Sequence, residues 1–267
     1  MNDKVPPNLR WPLELLERAT DTLLDNRNAT LLAIVGRGVV VKNKEARATI
    51  MNSLKVGDDS FRDRAQKRTD MWLKEEKQFE AHLFGHSAIT LWSVLETYVG
   101  DFIVQWIRMK PDVLQNDHAR KLKISLADYI AMTADERLEA IVEDIFETDA
   151  VKRQRGIDKL EVALTFVRLG GDLDKEMKST LWLLHQVRNI WAHNSGIADK
   201  KFAKDVGSMF KCEVGEVVCF GQADWVRATK AILDYILTIV KRIAGHFEIT
   251  PEMLNAARAS DPGTTGN

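Results

Sequence analysis

Cysteine is nearly absent: the chain of 267 residues has two, Cys212 and Cys219. Two thiols cannot build the disulfide framework of a small secreted domain, and with no export signal they are expected to be reduced. Proline (6) and glycine (15) are also scarce, too few for an all-β protein with many tight turns. Charge of one sign is lacking, since 38 Lys and Arg stand against 39 Asp and Glu for a formal net charge of −1. Global attraction to nucleic acid is thereby excluded, and any anion site must be a local patch. No long apolar run is free of interruption. The most apolar window, "ITLWSVLETYVGDFIVQWI" (89–107), contains Glu96, Asp101 and Gln105. Charge at the centre of a membrane helix costs at least about 2.5–3.5 kcal/mol, so a buried helix is the better reading. The start, "MNDKVPPNLRWPLELL", lacks a basic stretch followed by an apolar one, so no signal peptide is read. A cytoplasmic protein that does not enter membranes is expected.

What is present is helical pattern. Hydrophobic residues make up 45% and charged residues 29%, enough for a sizeable core in one large or two modest domains. "WPLELLERATDTLLD" (11–25) predicts a short amphipathic helix. "ATLLAIVGRGVVV" (29–41) is ambiguous, because its glycines weaken a helix and its valines favour a strand. "VGDDS" (56–60) reads as a loop with Asp59 or Ser60 as helix cap. Helical character runs from Phe61 to about Trp106, with a possible break at Gly85, and Pro111 stops it. "TADERLEAIVEDIF" carries a Thr133–Glu136 capping box. "IDKLEVALTFVRLGG" ends in paired glycines that suit a helix stop. "MFKCEVGEVVCFG" predicts a β-hairpin turning at Gly215–Glu216, with Cys212 opposite Cys219. A long amphipathic helix follows, and "ASDPGTTGN" predicts a flexible tail. The fold class expected is all-α, a helical bundle with a small β-hairpin before the C-terminal helix.

The chemistry gathers at the end of "DLDKEMKSTLWLLHQVRNIWAH" (172–193), a helix that Asp172 or Asp174 can cap and that "NSG" stops. At about 100° per residue, Leu173, Met177, Leu181, Leu184 and Trp191 form one apolar stripe, and Arg188 falls inside it. A guanidinium there needs a carboxylate or other acceptors. His185, Asn189 and His193 form a second row at the stripe's edge. Arg188 and His193 lie about 140° apart on one ideal helix, so they converge on a single target only beside the helix or across two such helices. The bland reading is a structural ion pair at Arg188 and a histidine capping the last carbonyls. The sharper one is phosphodiester cleavage: arginine neutralises charge developing on phosphorus, and histidine moves a proton near neutral pH.

"VRNIWAHN" resembles the signature of the HEPN superfamily (higher eukaryotes and prokaryotes nucleotide-binding), an arginine followed after four to six residues by a histidine, often with a polar residue next to the arginine. Arg188, Asn189 and His193 match it in order. The acid-bearing apolar helix upstream and the closing helix downstream are similar to the family's core. The resemblance implies a helical domain over 60–248, an N-terminal helical region (1–59) of unassigned role and a tail (249–267). It implies dimerisation that pairs two motif helices into a composite site, and a metal-independent endoribonuclease without cofactor. His193 would transfer protons, Arg188 would clamp phosphate, Asn189 would orient, His185 would support and Glu96 would partner Arg188. Such proteins act as toxins or phage-defence effectors, which implies RNA as substrate and an antitoxin or sensor protein as partner. A non-catalytic RNA- or nucleotide-binding module, antitoxin or scaffold of the same family is the alternative, and a helical interaction protein with a structural motif is a third reading.

Of the basic clusters, Lys200, Lys201 and Lys204 follow the motif most closely and can steer a phosphate chain, where the bland reading is a solvated face. His82 and His86 have a spacing that can hold zinc, but no third ligand stands at a familiar interval, so no metal is expected and they read as hydrogen-bonded surface or interface histidines. No dinucleotide, Walker, zincin or nucleophile-elbow motif is present.

Overall fold

The computed structural model describes residues 7–53, 59–206, 209–210 and 212–247. The expected tail at 249–267 and the loop at 56–58 lie outside the described residues. The chain is all-α: eleven α-helices and two short 3-10 turns, with no β-strand among the described residues. No helix of the described residues is long and apolar enough to cross a membrane.

Helix α1 (Pro7–Lys42) takes in both the predicted short helix and the ambiguous valine run. No neighbouring strand exists among the described residues for the run to pair with, and a helix satisfies its N–H and C=O groups internally. The consequence shows on the surface. Leu32, Val35 and Val39 are exposed at 71%, 64% and 52%. Helices α2 (Lys44–Ser53) and α3 (Asp59–Lys74) follow, and α4 (Glu76–Met109) runs unbroken through Gly85. The break falls instead at Glu75. There Arg37 donates from Nε to the Trp72 carbonyl (2.9 Å) and from Nη2 to the Leu73 carbonyl (3.1 Å), capping α3 from the side.

Pro111 ends α4 as expected and opens a 3-10 turn. Helices α5 (Leu126–Ala131), α6 (Ala134–Glu147), α7 (Asp149–Lys152) and α8 (Ile157–Thr165) are short. The capping box of α6 is complete in both directions. The paired glycines do not stop α8: Arg168 takes the left-handed conformation (φ 60°), and the Leu169 N–H closes onto the Leu164 carbonyl (2.9 Å). Then come α9 (Lys175–Asn194), α10 (Lys200–Val206) and α11 (Gln222–Gly245).

Two compact units emerge, and α1, α4, α9 and α11 contribute residues to both. Unit 1 comprises residues 1–21, 93–182 and 229–267. Its core is aromatic and β-branched: Phe102, Ile103, Trp106, Val113, Leu160, Val167, Tyr235 and Ile239 are sealed from water. Trp106 Nε1 donates to the Val167 carbonyl (3.0 Å), so the indole is buried without an orphaned donor. Arg242 is held by Glu161 (3.0 Å to each carboxylate oxygen) and the Leu169 carbonyl (2.9 Å).

Unit 2 comprises residues 22–92 and 183–228. Its core includes Phe84, Leu91, Trp92, Leu184, Val187, Phe202, Val218 and Phe220. A polar triangle is built into it. Ser87 Oγ donates to Asn26 Oδ1 (2.5 Å), and Trp225 Nε1 donates to Ser87 Oγ (2.6 Å) and approaches Asn26 Oδ1 (3.3 Å). Buried polar groups are tolerated when each finds a partner, and this cluster ties α1, α4 and α11 together inside the unit.

Candidate active site

Helix α9 begins where its sequence says it should. Asp174 Oδ1 accepts from the Glu176 and Met177 amides (2.9 and 3.1 Å), which settles the cap on Asp174 rather than Asp172. At the other end Ser195 (φ 51°) and Gly196 (φ 78°) turn left-handed, and the Gly196 N–H closes on the Ile190 carbonyl (3.1 Å). Asn194 Nδ2 donates to the Ile197 carbonyl (2.5 Å). The stop is therefore a glycine-terminated helix end reinforced by an asparagine.

The buried face of α9 is Leu181, Leu184, Val187, Ile190 and Trp191, with Gln186 beside it. Leu181, Leu184 and Trp191 of the predicted stripe are buried, Val187 and Ile190 widen the face beyond it, and Leu173, Met177 and Arg188 are half-buried. Arg188 Nη1 donates to Asn189 Oδ1 (3.0 Å), while its Nε is buried with no hydrogen-bond partner. Within unit 2 no carboxylate pairs with Arg188 among the described residues. Asn189 Nδ2 lies 3.3 Å from both ring nitrogens of His185, whose ring packs edge-on against Trp92 (4.8 Å between centroids). Arg188, Asn189 and His185 thus form one connected row on a single helix. His193 stands one turn further on, exposed. Glu96 is half-buried on the unit 1 part of α4.

Trp191, which helical spacing marks only as a core residue, is the anchor of this helix end. Its ring is pinched between two glycines: a Cβ on Gly85 would sit 2.1 Å from Cε2, and one on Gly196 would sit 2.6 Å from Cζ2. His82 and His86 approach the ring at 5.1 and 5.7 Å, and Nε1 donates to the Val218 carbonyl (3.2 Å). His82 also faces Trp72 (5.4 Å). Burial holds the His82 imidazolium below its ordinary range, and neighbouring His86 and Arg68 push it the same way. The usable signal was Gly85 itself, since a glycine inside an apolar helix pattern marks a close approach.

Among the described residues the predicted β-hairpin does not form. Residues 213–216 make a tight turn, with the Glu216 N–H on the Glu213 carbonyl (3.1 Å) and Gly215 left-handed (φ 92°). The segment after it pairs with the chain that leaves α9 instead of with its own first half. Ala198 N–H donates to the Glu216 carbonyl (2.8 Å), Gly215 N–H to the Ala198 carbonyl (2.9 Å) and Val218 N–H to the Gly196 carbonyl (2.8 Å), around a single Ile197–Val217 bridge. The local turn chemistry was legible, but the partner was not, because any extended segment offers the same donors and acceptors.

Lys200, Lys201 and Lys204 are exposed on α10, whose Phe202 and Val206 face the core and whose Phe202 amide is capped by Asp199 (2.7 Å). Lys200 and Lys201 occupy the first turn, where the helix dipole disfavours cations, so helix stability does not explain them. Unit 2 carries 18 Lys and Arg against 14 Asp and Glu, and four of the six histidines, His82, His86, His185 and His193. Unit 1 has the opposite balance, 20 against 25. The near-neutral chain therefore conceals a basic half, and that half contains the motif. Comparison with family models, curated proteins and solved structures finds no significant match.

Proposed function

We propose that the chain is a metal-independent endoribonuclease of the HEPN type, working as a homodimer in which two motif helices meet. One observation carries the reading. Arg188 is a half-buried guanidinium whose hydrogen-bond partner is a neutral amide, not a carboxylate of its own unit, and it lies on the same helix end as an exposed histidine. A cation held partly out of water without an answering charge favours a ligand that brings one, and a planar guanidinium suits a phosphate.

In this reading Arg188 grips the non-bridging oxygens of the scissile phosphate and neutralises the charge that builds there. Asn189, fixed from both sides by Arg188 and His185, orients the guanidinium. His193 takes the proton of the ribose 2′-hydroxyl as that oxygen attacks phosphorus, or returns a proton to the departing 5′-oxygen. The products are a 2′,3′-cyclic phosphate and a 5′-hydroxyl. Lys200, Lys201 and Lys204 steer the flanking backbone. Such an activity fits a toxin or phage-defence effector held in check by a protein partner.

The test is incubation of the full chain with total cellular RNA in EDTA, followed by mapping of the cut ends. Cyclic-phosphate termini are expected, and His193→Ala lowers the rate by about 10²–10⁴, the range of a general acid–base group. Equal cleavage by both proteins refutes the assignment. RNA binding without cleavage by either protein favours a binding module of the same kind.

A further inference from the structure

Cys212 and Cys219 have no part in the proposed cleavage, yet they flank the segment that holds Trp191. We propose that these two thiols are an oxidation site, closing to a reversible intramolecular disulfide under peroxide and loosening the end of α9 when they do.

Geometry brings the pair together. Both sulfurs reach the same carbonyl oxygen, that of Val217, at 3.9 Å for Cys212 and 3.5 Å for Cys219. Their separation cannot exceed the sum of those distances, and both are free thiols. Cys212 is half-buried and also lies 3.7 and 4.0 Å from the Glu213 and Glu216 carbonyls, while Cys219 is exposed. The two line an open groove of about 600 Å³ with Met209, Phe210 and Asp224, wide enough for a small oxidant.

The step balances with hydrogen peroxide as oxidant. The exposed Cys219 sulfur attacks one peroxide oxygen, the O–O bond breaks, and the product is a sulfenic acid and one water. Cys212 sulfur then attacks the sulfenic sulfur and expels its hydroxyl, which leaves as a second water with the remaining thiol proton. Two thiols are oxidised by two electrons and one peroxide is reduced. Burial and, next, Glu216 hold both thiols above their ordinary range. Little thiolate is present at neutral pH, so the pair stays reduced until oxidant accumulates and reacts faster as pH rises.

Closure must disturb what lies between the sulfurs. An S–S bond of about 2.0 Å draws the two side chains off the Val217 carbonyl and toward each other. Val217 bridges Ile197, and Val218 both donates to Gly196 and accepts from Trp191 Nε1. The carbonyl that both thiols reach and the carbonyl that holds the indole thus belong to adjacent residues, Val217 and Val218.

The experiment treats the full chain with hydrogen peroxide and then blocks free thiols. The expected product is a monomeric disulfide, lighter by two hydrogens and reversed by dithiothreitol, and Cys212→Ser and Cys219→Ser each abolish it. Amide exchange at Ala198, Gly215 and Val218 should accelerate in the oxidised chain. Separate sulfinic acids, a disulfide between chains, or a disulfide that leaves those amides protected would each overturn the proposal. The accompanying fall in RNA cleavage, about a hundredfold for an ångström of misplacement, rests on the ribonuclease reading. A disulfide with faster exchange in a chain that cuts no RNA in either state refutes that reading and leaves the thiol site standing.

Discussion

Arg242 and Arg188 are both guanidiniums held partly out of water, and they differ in what answers their charge. Arg242 meets the two oxygens of Glu161 and a backbone carbonyl, with 17% and 12% of the two side chains exposed. Removing one member of such a pair leaves the other buried and charged, so Arg242→Ala should destabilise by about 3–5 kcal/mol in urea denaturation. The strain falls on Glu161 beside Tyr235, whose hydroxyl is already pushed well up by burial and by that carboxylate. Arg188→Ala removes a single bond to a neutral amide, and its stability loss should be closer to about 1 kcal/mol. The contrast separates a structural arginine from one kept for a ligand. His82 supplies a pH prediction. Its folded-state range is lowered from the ordinary 6.5, so the unfolded chain binds the extra proton first. Stability then rises with pH across that window and is lost as pH falls through about 6.5. Unfolding measured at about pH 7.5 and about pH 5.5 should show this slope, and His82→Gln should flatten it.

Among the elements, α4 and α9 depend on a glycine that local rules would replace. In an exposed helix interior, Gly→Ala stabilises by roughly 0.8–1 kcal/mol. At Gly85 the new methyl group would enter the Trp191 ring, 2.1 Å from Cε2. Gly85→Ala should therefore destabilise, by about 1–3 kcal/mol of overpacking, and lower RNA cleavage through displacement of the end of α9. A raised melting temperature would show that Trp191 is not clamped. The element boundaries divide by how local their cause is. Asp174, the Thr133–Glu136 box, Pro111 and Asn194-Ser195-Gly196 all act within a few residues, and each was readable. The break at Glu75 needs Arg37 from another helix, the stop of α8 needs Arg168 in an uncommon conformation, and the valine run of α1 lacks the neighbouring strand that would make extended backbone worthwhile.

At the scale of the whole molecule, a net charge of −1 hides two halves of opposite balance. RNA binding should consequently be salt-sensitive despite the neutral total. Each phosphate contact on a single strand contributes a slope of about −0.7 to log affinity against log salt, so replacing Lys200, Lys201 and Lys204 together by alanine should shallow it by about 2. An unchanged slope in a filter-binding titration would place the RNA elsewhere. By itself the sequence determined that this chain is helical, where α6 and α9 begin and where α4 and α9 stop, and that Arg188, Asn189 and His193 share one helix end, because periodicity and capping are short-range chemistry. Only the tertiary structure decided that Val187 and Ile190 join the buried face of α9 while Arg188 stays half-buried, that two glycines grip Trp191, and that residues 215–218 bind the exit of α9 instead of the segment before their own turn. Those outcomes turn on which distant surface fills a given space or meets a given backbone group, and a linear pattern offers many equivalent partners for each.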